Sequence, residues 1–88
     1  PLFPEEQKPL CTDTKFLLYV LNNISDAMRN LDFDEADRQA EWLERHRYKE
    51  TTEEDIRELL SQVTRLDDRE AVRTAGRLIE RLQTEEVT

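Results

Sequence analysis

The sequence predicts an all-α fold, either a four-helix bundle or a two-hairpin stack built from two similar helical hairpins, with an extended N-terminal arm. Apolar residues recur every three or four positions in four successive segments, and capping residues precede these segments. The stretch "LDFDEADRQAEWLER" at 31–45 is nearly repeated by "LDDREAVRTAGRLIE" at 66–80. A chain of 88 residues that is 36% hydrophobic and 39% charged suits amphipathic helices around one core.

The N-terminal stretch "PLFPEEQKPLC" carries all three prolines of the chain. Proline lacks a backbone N–H and restricts the residue before it, so no helix is expected to begin before Pro9 has passed. We therefore predict an extended arm over 1–11 and a single all-α domain over 12–88. Its apolar residues Leu2, Phe3 and Leu10 either lie across the bundle or stay available to a partner.

The first two helices are predicted at about 14–30 and 33–47. Thr12 or Asp13 is expected to cap the first helix, and Asp32 the second. The apolar stripe of the first helix is broad, so we expect it to be the most buried of the four. This stripe consists of Leu17, Leu21, Ile24, Met28 and Leu31, widened by Phe16, Tyr19 and Val20.

The third and fourth helices are predicted from "TTEEDI" at 51–56 and from Asp67 onward. Thr51 and Glu54 have the spacing of a capping box. Gly76 falls in the middle of the fourth helix, where an isolated glycine often marks a close helix crossing.

A shift of 35 residues superimposes the two similar stretches and also aligns the apolar residues of the first and third helices. Leu31, Ala36 and Leu43 fall on Leu66, Ala71 and Leu78, and Leu21 and Ile24 fall on Ile56 and Leu59. The pattern predicts two helical hairpins, hairpin 1 at about 14–47 and hairpin 2 at about 52–84, each burying its stripe against the other. The alternative is chance similarity, because capped amphipathic helices use few residue types.

The segment "DFDEA" at 32–36 resembles the entry of the second helix in tetratricopeptide repeats. Asn23 and Ile24 stand where that family has leucine and glycine, and no proline closes the unit near Tyr48. The resemblance therefore implies hairpin packing rather than membership. Proteins of that family bind peptides and proteins through stacked hairpins.

The net charge of −8 disfavours direct binding to nucleic acid or to an anionic membrane, both of which reward clustered basic residues. A protein partner is the better expectation, with a basic partner favoured, although acidity also serves solubility alone. The lone Cys11 suits a reducing compartment, so we predict a cytoplasmic protein. No apolar run approaches the length of a membrane span.

No catalytic or cofactor-binding pattern is found in the sequence. Cys11 and His46 supply too few ligands for zinc, and Gly76 alone cannot form a glycine-rich phosphate loop. His46 stands between two arginines near a predicted helix end, where a cationic imidazole suits the helix dipole. We therefore predict a non-enzymatic protein without a cofactor.

Candidate contact residues lie on the fourth helix and on the second. One band of arginines recurs every four residues along the fourth helix: Arg69, Arg73, Arg77 and Arg81. Because like charges at this spacing repel, we expect them to pair either with internal acids such as Glu41 and Glu44 or with a partner's carboxylates or phosphates. Trp42 is either a plug between helices or an exposed anchor, with Tyr48 close by. Asp34 and Asp37 belong to an acidic helix entry. Phe16 and Tyr19 are expected to contact the N-terminal arm.

These features predict a small acidic protein–protein interaction module, of adaptor or regulatory type, that binds a protein partner through charged helix faces. One alternative is an acidic inhibitor of a basic site, such as an antitoxin, an immunity protein or a nucleic-acid mimic. Another is a structural oligomerisation domain. A strong salt dependence of affinity would favour the inhibitor, and a mass that rises with concentration would favour self-association.

Overall fold

The computed structural model describes the backbone of residues 8–87 and the side chains of residues 8–85. It confirms the predicted all-α helical bundle. The four helices are α1 (Thr14–Arg29), α2 (Phe33–Glu44), α3 (Glu50–Thr64) and α4 (Asp68–Val87). Hairpin 1 thus consists of α1 and α2, and hairpin 2 of α3 and α4.

One core of buried apolar side chains receives residues from all four helices. The contact between α1 and α4 is the most extensive of the helix pairs, followed by the contact within each hairpin, while α2 and α3 meet over a smaller area. Leu21, Ile24 and Met28 of α1 have no accessible surface, as expected from its broad apolar stripe. The contact between α1 and α4 therefore joins the two hairpins.

The turn from α1 to α2 closes one helix and opens the next within three residues. Leu31 adopts a left-handed backbone with φ of 58°, and its N–H donates to the Met28 carbonyl at 3.2 Å. The N–H of Asp32 reaches back to the Ala27 carbonyl at 2.7 Å, which completes a Schellman motif. The Asp32 carboxylate then accepts the N–H of Glu35 as the N-cap of α2.

The turn from α3 to α4 has the same geometry, displaced by 35 residues. Leu66 has φ of 59°, its N–H donates to the Val63 carbonyl, and the N–H of Asp67 donates to the Gln62 carbonyl at 2.9 Å. The Asp67 carboxylate lies 3.5 Å from the N–H of Glu70. The similarity of the two stretches therefore extends to the backbone of their turns.

The helix crossings of the two hairpins also correspond. In hairpin 1, Asn23 donates to the side-chain oxygen of Gln39 at 3.4 Å. In hairpin 2, Thr74 donates to the carboxylate of Glu58 at 3.4 Å. Glu58 and Thr74 stand 35 residues after Asn23 and Gln39, so the polar contact that bridges each hairpin occupies an equivalent position.

The opposite end of the bundle is closed by the end of the arm and the α2–α3 connection. The N–H of Arg47 donates to the Pro9 carbonyl, and the N–H of Cys11 donates to the Arg47 carbonyl, both at 2.8 Å. The guanidinium of Arg47 adds a bond to the Lys8 carbonyl at 2.7 Å. Residues 8–11 are thus tied to the bundle, whereas Leu2 and Phe3 lie outside the described residues.

Two local predictions near this end are wrong. The capping box of Thr51 and Glu54 does not form, because α3 begins at Glu50 and its N-cap, Lys49, makes no side-chain cap bond. The carboxylate of Glu53 instead accepts the N–H of Tyr48 at 3.1 Å. Helix α2 ends at Glu44 rather than near 47, because the residues that follow connect to α3 and pair with the arm. At the start of α1, Asp13 is the cap, accepting the N–H of Phe16.

The close helix crossing expected at Gly76 is also wrong. Gly76 is exposed, and a Cβ placed on it would meet no atom within 4 Å. The small residues that allow close approach are alanines instead. Ala36, Ala71 and Ala75 have no accessible surface.

We expect Leu66→Gly to raise the free energy of unfolding. A left-handed backbone costs an L-residue about 1–2 kcal/mol, and glycine avoids this cost, although glycine also loses more entropy on folding. Because Leu66 is 53% exposed, little packing should be lost. We expect the free energy of unfolding, measured by urea denaturation, to rise by about 0.5–1 kcal/mol.

The matched control is Arg65→Gly, one residue earlier, where φ is −83° and glycine should destabilise by about 0.5–1 kcal/mol. Leu31→Gly should repeat the gain at the equivalent turn. A loss of stability in both leucine variants would show that these side chains contribute more by packing than their backbone costs.

Candidate functional site

Two of the four arginines in the α4 band are paired with acids of the neighbouring helix. The Arg77 guanidinium donates to the Glu58 carboxylate at 2.8 Å and lies 3.7 Å from Asp55. The Arg81 guanidinium donates to Asp55 at 2.6 Å and to the Thr52 hydroxyl at 3.4 Å. The acids come from α3 rather than from Glu41 and Glu44 of α2, because α3 is the helix that packs beside α4 in hairpin 2.

The other two arginines remain at the surface. Arg73 lies 3.3 Å from Glu70 in an exposed pair one turn apart, which contributes little to stability. Arg69 has no ion pair within 4 Å among the described residues. The band is therefore continuous in sequence but divided in the structure, because Arg77 and Arg81 pair with acids of α3 whereas Arg69 and Arg73 do not.

Tyr48 belongs to the core. It is buried, and its hydroxyl donates to the Leu43 carbonyl at 2.8 Å. Burial is the main cause that raises the pKa of its phenol above the ordinary value, followed by the nearby Cys11 and Glu53. Burial likewise raises the pKa of the Cys11 thiol. Tyr48 thus fixes the α2–α3 connection to the core, with 8% of its surface left exposed.

Asp34 and Asp37 are exposed on α2. Neither carboxylate has a hydrogen bond or an ion pair in the described part of the chain. At about 100° per residue, Asp37 stands about 140° around the helix from Trp42. The structure therefore leaves both carboxylates accessible but does not bring Asp37 together with the tryptophan.

Four side chains of hairpin 1 form an aromatic cluster: Phe16 and Tyr19 of α1, Trp42 of α2, and His46 just after α2. The Phe16 ring centroid lies 4.9 Å from that of Trp42 and 5.7 Å from that of Tyr19. His46 stacks on Trp42 with centroids 4.2 Å apart. Its Nδ1 lies 3.0 Å from the Trp42 carbonyl and therefore carries the proton, since a carbonyl only accepts.

The aromatic cluster is only partly covered. Trp42 and His46 are half-buried, whereas Phe16 is 41% and Tyr19 60% exposed. Among the described residues, the Phe16 ring contacts the rings of Tyr19 and Trp42, and most of the arm expected to cover Phe16 and Tyr19 lies outside the described residues. Trp42 both fills the seam between α1 and α2 and contributes to the surface.

The seam between the two helices of a hairpin is closed by different chemistry in hairpin 1 and in hairpin 2. A shift of 35 residues places Trp42 on Arg77 and His46 on Arg81, which are ion-paired to Asp55. The structure thus has one seam made of ion pairs and one made of half-exposed rings. The aligned stretches already contain Trp42 and Arg77, so a comparison of these two positions would have shown part of this contrast from sequence.

A groove of about 300 Å³ begins beside Tyr19 and follows the α1–α2 crossing toward the turn. Three carboxylates and three amides line it, and none of its described lining residues is basic. These polar residues are Asp26, Asp32 and Glu35, with Asn23, Asn30 and Gln39. The aromatic cluster and this acidic groove meet at Tyr19 and form one continuous face, which we call the outer face of hairpin 1.

Over the described side chains, no group of three or more histidine, cysteine, aspartate or glutamate residues is placed to hold a metal ion. None of the four described helices has both the length and the apolar character needed to cross a bilayer.

Comparison with protein-family models, with curated proteins and with solved structures gives no match.

We expect Asp55→Asn to lower the free energy of unfolding by about 1–3 kcal/mol. The side chain of Asp55 is 19% exposed, and its loss of charge leaves Arg81 without a carboxylate in a partly buried site. Urea denaturation measures the change. The matched control is Glu41→Gln, an exposed pair with Arg45, where the change should stay below about 0.5 kcal/mol. Equal effects would mean that the ion-paired seam does not stabilise hairpin 2.

We expect stability to fall above about pH 10, the ordinary pKa of tyrosine. The raised pKa of Tyr48 keeps its phenol neutral in the folded protein, while the same group loses its proton in the unfolded chain. Deprotonation therefore favours the unfolded state and lowers the free energy of unfolding. Tyr48→Phe should cost about 1 kcal/mol at neutral pH through the lost hydrogen bond and should decline less steeply in alkali. Denaturation series on both proteins measure this; parallel declines would contradict it.

Proposed function

We propose that this protein is a protein-binding module, of adaptor or regulatory type, that contacts its partner through the outer face of hairpin 1. The observation that carries this proposal is the half-exposed aromatic cluster, in which Trp42 and His46 occupy the positions of the ion-paired Arg77 and Arg81 of hairpin 2. In hairpin 2 the equivalent seam, between α3 and α4, is closed without exposed rings. The rings of hairpin 1 are then available for contact with another molecule.

The energy available from this face suits recognition. Aromatic side chains supply much of the energy of protein interfaces because they bury a large apolar area with little loss of conformational freedom. At about 25 cal/mol per Å², each 100 Å² of apolar surface that a partner covers contributes about 2.5 kcal/mol before the costs of association. Phe16, Tyr19 and Trp42 also lie on two helices joined by a three-residue turn, which holds the face rigid before binding.

Charged residues outside this face supply a second kind of contact. Arg69, Arg73, Asp34 and Asp37 are exposed, and the chain as a whole carries a charge of −8. Such charges change the rate of encounter and the choice of partner more than the final affinity. The half-buried free thiol of Cys11 supports a cytoplasmic location for this binding.

Self-association is the second candidate, because the same exposed rings could cover each other in a homodimer. The two candidates differ in the mass of the complex. Sedimentation at increasing concentration would show a constant monomer mass for a module that binds another protein. A dimer that is lost in Tyr19→Ala would favour the oligomerisation domain.

The direct test places a photo-crosslinking amino acid at Tyr19 in the cells that produce the protein. The matched control places it at Glu54, the exposed equivalent on hairpin 2. We expect a discrete cross-linked product from position 19 that is reduced by excess unlabelled wild type and is absent from position 54.

Mass spectrometry of that product identifies what lies on the outer face. A single different protein supports the proposal, and a cross-link to a second copy of this chain supports the oligomerisation domain. No product at position 19, or the same products at both positions, would contradict any binding role for the aromatic cluster.

A further inference from the structure

We infer that the partner presents a segment with a basic side chain that enters the acidic groove beside Tyr19 and an apolar side chain that packs on Phe16 and Trp42. This inference rests on the proposed function and specifies the chemistry of the partner. It follows from the joining of two different surfaces at Tyr19, one aromatic and one acidic. A partner that covers both must carry both kinds of side chain.

The charge of the groove selects a cation. One carboxylate oxygen of Asp32 accepts the N–H of Glu35. The Glu35 carboxylate forms an ion pair with Arg38 at 3.2 Å and accepts a hydrogen bond from Gln39 at 2.8 Å. The side chain of Asp26, in contrast, has no hydrogen bond or ion pair to the described residues. One unpaired carboxylate therefore faces a groove without a basic lining residue, and an acidic partner side chain would be repelled there.

Tyr19 adds a second attraction for the same basic side chain. Tyr19 and Asp26 stand seven residues apart on α1, which places them on the same side of the helix. Seven residues correspond to a rise of about 10 Å, so a long lysine or arginine side chain that reaches Asp26 passes over Tyr19. Its charge then meets the carboxylate while its methylene groups pack on the exposed ring.

The distance between the two ends of the face predicts the spacing of the two side chains. Phe16 and Asp26 are ten residues apart on α1, a rise of about 15 Å. An extended chain advances about 3.3 Å per residue, so the apolar and basic residues should stand four or five positions apart in an extended segment. Hairpin 2 has no matching face, because Glu54 and Ser61 stand where hairpin 1 has Tyr19 and Asp26.

The test is a selection of binders from a random linear peptide library displayed against the wild-type protein. Enriched peptides are synthesised, and their affinities are measured by fluorescence anisotropy for the wild type and for Asp26→Asn, Tyr19→Ala and Phe16→Ala. The matched controls are Ser61→Ala and Glu54→Ala, at the equivalent exposed positions of hairpin 2. Circular dichroism checks that every variant is folded.

We expect enriched peptides with lysine or arginine four or five residues from an apolar residue. Asp26→Asn and Tyr19→Ala should each weaken their binding about three- to tenfold, while the two controls leave it unchanged. Replacing the basic residue of the peptide by glutamine should weaken wild-type binding similarly and should remove the effect of Asp26→Asn.

Other outcomes separate this inference from the proposed function. Peptides that need Phe16 but lack a basic residue, or that ignore Asp26→Asn, would overturn the inference and leave the aromatic face as a binding surface. An absence of peptides that depend on hairpin 1 would also overturn the inference. The cross-link from position 19 then decides the proposed function independently.

Discussion

The architecture depends on a turn in which a single aspartate ends one helix and begins the next. The N–H of Asp32 closes α1 on the Ala27 carbonyl, and its carboxylate opens α2 at Glu35. Because Leu31 takes the left-handed conformation that reverses the chain, no further residues are needed and α2 must return along α1. The same device at Leu66 and Asp67 returns α4 along α3, so both hairpins present comparable seams.

Comparable seams make the difference between them informative. In hairpin 2, Asp55 lies between Arg77 and Arg81 and forms an ion pair with each of them. In hairpin 1, Phe16, Trp42 and His46 fill the corresponding space by ring packing. The ion pairs of hairpin 2 present polar atoms to water, whereas the rings of hairpin 1 are only partly buried in the seam. The hairpin closed by rings is therefore the one with an apolar surface to offer a partner, and the acidic groove beside Tyr19 gives that surface a charge preference.

Local sequence patterns predicted the elements whose cause is local. The Asp32 cap, the broad apolar stripe of α1 and the paired turns follow from residues within one or two helical turns of each other. The predictions failed where the cause was distant. Thr51 had capping-box spacing, but Glu53 is held by Tyr48, and α3 begins at Glu50. Gly76 had the sequence context of a crossing, but it faces solvent, and the small residues buried in the core are alanines.

The sequence by itself determined the helices, the duplicated turns and the acidic charge, because hydrophobic period, capping and net charge are properties of neighbouring residues or of simple sums. The tertiary structure alone decided which charges are used internally and which rings come together. Arg73 and Arg77 look alike in the sequence, yet only Arg77 reaches acids on α3. Phe16 and Trp42 are 26 positions apart, and only the return of α2 along α1 brings their rings within 4.9 Å. Side-chain partners across helices depend on packing angles and rotation about each helix axis, which no single segment of the chain specifies.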